Sequence, residues 1–217
     1  MLKIKRFMCN MLQENCYEVS DETKECVIID CGAQYQEERD AISQYIKEEN
    51  LKPVHLLATH GHLDHNWGNI ALFNEFGLKV EARAEDEFLI AHLGKQASEL
   101  FGFDLNEEEA PVGHYFTEGE QIHFGTHHFD ILHTAGHTPG GCVYYCADEH
   151  VAFTGDTLFR MSIGRTDFEG GSWQDMAESL QQLAKLPADT TVYCGHGPQT
   201  TIAEERQYNL YMRDTAI

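Results

Sequence analysis

The sequence predicts an α/β fold in which two mixed β-sheets pack face to face with helices on their outer sides. Three observations lead there. Strand-like and helix-like segments arrive in the order strands, helices, strands, helices. At 217 residues the chain is long enough for one well-filled core, so one domain spanning 1–217 is expected. Four strand-like segments each run into a glycine-containing loop that bears histidine or aspartate.

Taken in order, Ile4 to Met8, Cys16 to Val19 and Glu25 to Asp30 read as short strands between Asn, Gln and Asp-Glu turn signals, which opens the chain with an antiparallel meander. Gln36 to Glu49 places Ala41, Ile42, Tyr45 and Ile46 at helical spacing, and Pro53 introduces the buried strand Val54 to Ala58. Asn66 to Phe76 and Glu85 to Phe101 read as helices, and the acid-, Pro- and Gly-containing stretch Phe103 to Gly119 as a connecting loop or lid. Core packing is the default role of Phe88, Leu89, Leu93, Leu100 and Phe101, with a homodimer face or a substrate lid as alternatives. Strand signals resume at Gln121 to Phe124, His127 to His133, Cys142 to Cys146 and Val151 to Phe153. Trp173 to Leu186 is an amphipathic helix, Thr191 to Cys194 a strand and Thr201 to Met212 a closing helix.

A net charge of -21 sets the protein against nucleic acid and anionic membrane surfaces, which are bound by clustered Lys and Arg. Most of the acidic excess sits in surface-like stretches such as Glu107-Glu108-Glu109. The N-terminus alternates apolar with charged residues and shows no secretory signal. No apolar run approaches the ~20 residues needed to cross a bilayer. Seven scattered cysteines form no secreted-domain framework, so a soluble protein of the reducing cytoplasm is expected.

The chemistry is concentrated in Thr59-His60-Gly61-His62-Leu63-Asp64-His65. His60 and His62, one residue apart, cannot share a helix face but can converge on one ion from a loop. If Asp64 begins the next helix, Asp64 and His65 turn toward a second point beside the first. Imidazole with carboxylate suits borderline divalent ions such as zinc. Thr134 to Gly140, Phe153 to Phe159 and Val192 to Pro198 repeat the strand-then-loop grammar and present His137, Asp156 and His196. The other histidines lack such partners and read as ordinary strand or loop residues, His133 being the nearest to the site. Asp30, ending its strand, is a candidate acceptor fixing the tautomer of a ligand histidine, with a turn-capping role as the alternative.

The order His-x-His-x-Asp-His, His, Asp, His resembles the metallo-β-lactamase superfamily over nearly the whole chain. The segments AGHTPGG, FTGDTLF, GRTDF and GHGP resemble its glyoxalase II (hydroxyacylglutathione hydrolase) branch, especially the short bacterial members. The resemblance implies an αββα four-layer sandwich with metals in a cleft at one sheet edge. It implies two divalent ions, zinc expected and iron or manganese as alternatives, with His60, His62 and His137 on the first, Asp64, His65 and His196 on the second, and Asp156 bridging together with a water-derived hydroxide. Asp64 and Asp156 are the expected catalytic carboxylates, and the expected partner is a small-molecule acyl-thioester. Arg165 fits a carboxylate-binding place at the cleft, although Asp167 is an alternative partner for it. The chain ends about twenty residues after His196, so the C-terminal glutathione-binding helical domain of full-length members is expected to be absent. GRTDF is equally at home in the persulfide dioxygenase branch, which uses one iron, and that reading is the alternative. A non-catalytic, metal-stapled protein ranks below both, because structural zinc sites are closed and usually cysteine-rich.

Overall fold

The opening meander is present in the computed structural model, which describes residues 1–105 and 109–214. Strands β1 (Lys3–Cys9), β2 (Glu14–Ser20) and β3 (Glu25–Ile29) pair antiparallel. Helix α1 (Gln36–Glu48) returns the chain to β4 (Lys52–Leu57), parallel to β3. A 3-10 turn, Leu63–His65, leads to α2 (Asn69–Phe76), which stops where Gly77 takes a left-handed φ of 72°. Next come β5 (Val80–Arg83), the short helices α3 (Glu87–Ile90) and α4 (Leu93–Gln96), and β6 (Val112–Phe116). The first sheet has the order β1-β2-β3-β4-β5-β6, parallel from β3 onward.

The second half adds β7 (Gln121–Phe124), β8 (His127–His133), β9 (Cys142–Cys146), β10 (Val151–Gly155) and a small hairpin of β11 (Leu158–Phe159) and β12 (Ser162–Ile163). Helix α5 (Trp173–Leu183), capped by the Ser172 hydroxyl, precedes β13 (Thr191–Cys194), β14 (Thr200–Thr201), α6 (Ile202–Tyr208) and α7 (Leu210–Asp214). The second sheet runs β14-β13-β10-β9-β8-β7, with only β10 and β13 parallel.

Successive strand residues face opposite ways, which sorts the apolar side chains into layers. Tyr17, Val27, Ile29 and Leu57 of the first sheet meet Phe124, Phe129, Tyr144 and Phe153 of the second. On the far side of the first sheet, Ile28, Leu56 and Val80 pack under Ile42, Ile46 and Leu72 from α1 and α2. Beyond the second sheet, Val143, Ala152 and Val192 pack under Met176, Leu180 and Leu183 of α5. The result is the αββα sandwich with two mixed sheets.

The middle of the chain departs from the sequence reading. Glu85 to Phe101 is not one helix: a 3-10 turn (Ala84–Asp86), α3, α4 and a π turn (Ala97–Phe101) follow one another. Breaking the helix lets Leu93 and Ala97 pack on Leu63 and Trp67, and lets Asp86 and Gln96 bond the loop around Gly61. The expected loop from Phe103 to Gly119 contains β6, and β5 was not anticipated. Glu107 and Glu108 lie outside the described residues. The closing helix divides at Asn209, whose extended backbone ends α6 and whose side-chain amide bonds the Ser162 carbonyl and Glu205.

Among the described residues no helix is long and apolar enough to cross a membrane. All seven cysteines are buried and free, and burial pushes the thiols of Cys142 and Cys194 up to about 12.

Two stability predictions follow from this packing. The buried Tyr144 hydroxyl donates to the Ala58 carbonyl at 2.7 Å, joining the sheets. Tyr144→Phe should cost about 1–3 kcal/mol, read as a lower denaturant midpoint at an unchanged slope. Glu18 on β2 is buried with neither carboxylate oxygen bonded, and burial, against the pull of Lys3, lifts its pKa from 4.5 to about 8. The folded chain therefore keeps a proton that the unfolded chain releases, so the Glu18 contribution to stability is greatest below about pH 4.5, falls as pH rises to about 8 and is level above. Glu18→Gln should flatten that slope in denaturation measured across the window.

Candidate metal centre

Strands β8, β10 and β13 run in one direction in the second sheet, as do β3 and β4 in the first, so their carboxyl ends can gather at one edge. Bonds between the sheets bring the two edges together: Cys142 N–H to the Thr59 carbonyl at 2.9 Å, and Asn15 N–H to the Gly195 carbonyl at 2.7 Å. Every residue assigned to the site leaves the sheets there.

The hydrogen bonds behind the histidines decide which ring nitrogen faces the cleft. A carbonyl can only accept, so His137 donates from Nδ1 to the Arg165 carbonyl at 2.7 Å, and His196 from Nδ1 to the Leu12 carbonyl at 3.1 Å. His65 turns Nδ1 to the Asp30 carboxylate at 3.0 Å. The Thr59 hydroxyl spends its one proton on Asp30 at 2.7 Å, which leaves its oxygen to accept from His60 Nδ1 at 3.0 Å. Four imidazoles thus offer Nε2 to one region. His60 Nε2 is buried without a partner.

Those nitrogens form two neighbouring groups. His60, His62 and His137 make one, with His62 Nδ1 2.9 Å from His137 Nε2. Asp64, His65 and His196 make the other, with His196 Nε2 3.2 Å from Asp64 Oδ2 and 3.3 Å from His65 Nε2. Asp156 lies between them: Oδ1 is 3.2 Å from His65, and Oδ2 is 3.6 Å from His137 and 3.7 Å from His196.

Electrostatics favour a cation here. Burial, then the neighbouring rings, pushes the His60 pKa well down, and burial with His137 beside it takes His62 to about 4, so both rings keep free lone pairs at neutral pH. Burial resists ionisation of Asp156, but the charge of His65, a hydrogen bond to it, and His137 and His196 hold its pKa well below the usual range. Burial likewise opposes charge on His65, yet Asp156, Asp64 and Asp30 raise its pKa well above the ordinary value. Neutral rings at His60 and His62, the ionised Asp64 and Asp156 carboxylates and the orphaned His60 nitrogen fit divalent metal ions, and a cation would take the place of the proton that these carboxylates hold on His65.

Sequence reasoning missed the residues that brace the loop. Asp86 accepts from Gly61 N–H (2.8 Å), Thr138 Oγ1 (2.7 Å) and Gly140 N–H (2.6 Å), tying the His60 loop to the His137 loop. Gln96 donates to the Gly61 carbonyl and accepts from Leu63 N–H, while Asn66 donates to the carbonyls of His60 and His62. Asp86 stands in an acidic run that reads as helix surface, and nothing in its spacing marks it.

Arg165 is at the cleft, but its guanidinium is engaged: Nε and Nη2 donate to the two oxygens of Asp167 at 2.6 and 2.7 Å. That pairing is the alternative partner which the sequence offers for Arg165. His133 bonds the Pro139 carbonyl at 2.8 Å and joins neither group. His62, Asp64, His137, Asp156 and His196 line a cleft of about 490 Å³, with His60 and His65 buried behind them.

Residues 9–196 match the Metallo-beta-lactamase superfamily. The chain is 37% identical over 202 residues to a protein named hydroxyacylglutathione hydrolase GloC of Haemophilus influenzae, covering 92% of this chain and 93% of that one. Among solved structures it is similar to the BLEG-1 B3 metallo-beta-lactamase, with 34% identity, a TM-score of 0.87 and coverage of 97% of this chain and 99% of the other. It is also similar to TTHA1623 in a di-iron-bound form, with 31% identity, a TM-score of 0.84 and coverage of 95% and 99%.

Removing the brace should loosen the centre without touching a donor. Asp86→Ala is expected to weaken metal affinity about 10–100-fold in competition with a chromophoric chelator. Unchanged affinity would mean that the two loops are held by their remaining contacts.

Proposed function

The chain belongs to the metallo-beta-lactamase superfamily, and from that premise we propose that it is a two-metal hydrolase of the glyoxalase II type, cleaving acyl-thioesters. The observation that carries this reading is the set of four imidazoles whose Nδ1 groups are taken by oxygen acceptors, which leaves each Nε2 for the two donor groups beside Asp64 and Asp156.

His60, His62 and His137 would hold one ion, Asp64, His65 and His196 the other, and Asp156 would touch both. When bound, such ions lower the pKa of water toward neutrality and polarise an acyl carbonyl. Zinc suits these donors, and iron occupies the related di-iron structure. The protein's part is to orient the donors through Asp30, Thr59 and the carbonyls of Leu12 and Arg165, and to seat the substrate between Leu12, Leu100, Phe101 and Phe168. Asp64 and Asp156 both face the cleft, which supports a proton-accepting role for Asp64 there. A thiolate, with a free-thiol pKa near ~8.5, leaves without a strong acid, so thioesters need no further proton donor. Open access to the donors argues against a metal that only staples the fold. Free thiols throughout fit the reducing cytoplasm.

Persulfide oxidation at a single iron is the second reading, supported by the GRTDF segment, which is equally at home in that branch, and by similarity to the solved ETHE1 of Myxococcus xanthus, with 28% identity and a TM-score of 0.76 over 96% of this chain and 83% of that one. Metal analysis with parallel assays separates the two. We expect two divalent ions per chain, thioester hydrolysis abolished by a chelator and restored by metal, and a kcat about 10²-fold lower in Asp64→Asn that still binds both ions. One iron per chain with oxygen uptake on a persulfide would overturn the hydrolase, and full turnover in Asp64→Asn would remove its proton role.

A further inference from the structure

We propose that the cleft selects thioesters whose thiol arm is uncharged, and that Asp167 sets this preference by cancelling the charge of Arg165. The inference rests on the thioesterase reading and narrows its substrate class.

Among the described residues lining the cleft, Arg165 carries the only lysine- or arginine-type charge. Its position is fixed from both ends. The Arg165 carbonyl accepts from His137, and its guanidinium carbon sits 3.9 Å from the centre of the Phe168 ring, which in turn packs edge-on against His62. In that pose Arg165 would be the natural anchor for a substrate carboxylate. Asp167 takes the place instead, with two parallel hydrogen bonds, the strongest pairing a guanidinium makes. A carboxylated thiol arm would have to displace Asp167 and then lie beside it, in the field of a chain whose net charge is -21.

The rest of the wall is suited to an uncharged arm. Leu12 and Leu100 are 45% and 52% exposed at the cleft, beside Phe101, Phe159 and Phe168, so apolar surface there gains from contact with a ligand. Asp167 is therefore a specificity residue: it leaves the donors alone and decides which thiol arm is tolerated.

The test compares one acyl group carried on N-acetylcysteamine, which is uncharged, and on glutathione, which bears carboxylates. The metal-loaded wild type, Asp167→Asn, Asp167→Glu and Arg165→Gln are assayed for kcat/KM. The wild type should favour the N-acetylcysteamine ester. Asp167→Asn should raise kcat/KM for the glutathione ester about tenfold while changing the uncharged ester less than twofold. Asp167→Glu should keep the wild-type ratio, and Arg165→Gln should gain nothing for glutathione. A wild type that prefers the glutathione ester, or a ratio unmoved by Asp167→Asn, overturns the proposal. If neither ester is hydrolysed, the thioesterase reading fails by itself. Calorimetric affinities of S-hexyl-N-acetylcysteamine and S-hexylglutathione for the same variants then decide the charge preference by the same ratios.

Discussion

The site depends on one buried carboxylate. Asp30, in a left-handed turn at the end of β3, accepts from the Thr59 amide at 2.7 Å, from the Thr59 hydroxyl and from His65 Nδ1. Through Thr59 it sets the tautomer of His60, and directly that of His65. One residue thereby aims a nitrogen into each of the two donor groups. The rings are positioned by hydrogen bonds from behind, so a metal would meet nitrogens already aimed.

The sandwich supplies the setting. Parallel pairing of β3 with β4, and of β10 with β13, puts their loops at the same ends of the sheets, and the bonds between Thr59 and Cys142 and between Asn15 and Gly195 close the seam. Glycine is required at close approaches of the backbone to its neighbours. A Cβ on Gly195 would lie 2.4 Å from Asp156 Oδ1, and one on Gly136, at a φ of 140°, would lie 2.5 Å from the backbone of Met176.

The donors were legible because they are local. Four metal-type residues fall between His60 and His65, and the loops of His137, Asp156 and His196 each follow a recognisable strand. The two sheets and the outer helices were legible for a related reason, since alternation and helical spacing persist over whole elements. What escaped was set by distant contacts. Val80–Arg83 is a four-residue strand whose neighbours are β4 and the remote β6, and nothing in its own residues announces them. Glu85 to Phe101 has helical spacing, but the bonds of Asp86 and Gln96 to the Gly61 loop override it. Arg165 was legible as a residue at the cleft with two alternative partners, and the choice of Asp167 over a ligand carboxylate was decided by geometry.

If the chain is the proposed thioesterase, the burial of all seven cysteines bears on a hazard of handling activated acyl groups. A thioester passes its acyl group readily to any accessible thiolate, and every turnover of a thioesterase also releases a small thiol. A surface cysteine on such a protein would be acylated by the substrate or exchanged by the product. Here the thiols sit inside strands and core, and at Cys142 and Cys194 burial also keeps them protonated at neutral pH. On the proposed thioesterase reading, the same packing that fills the sandwich would keep these thiols out of reach of the substrate and product, and acyl transfer would be confined to water.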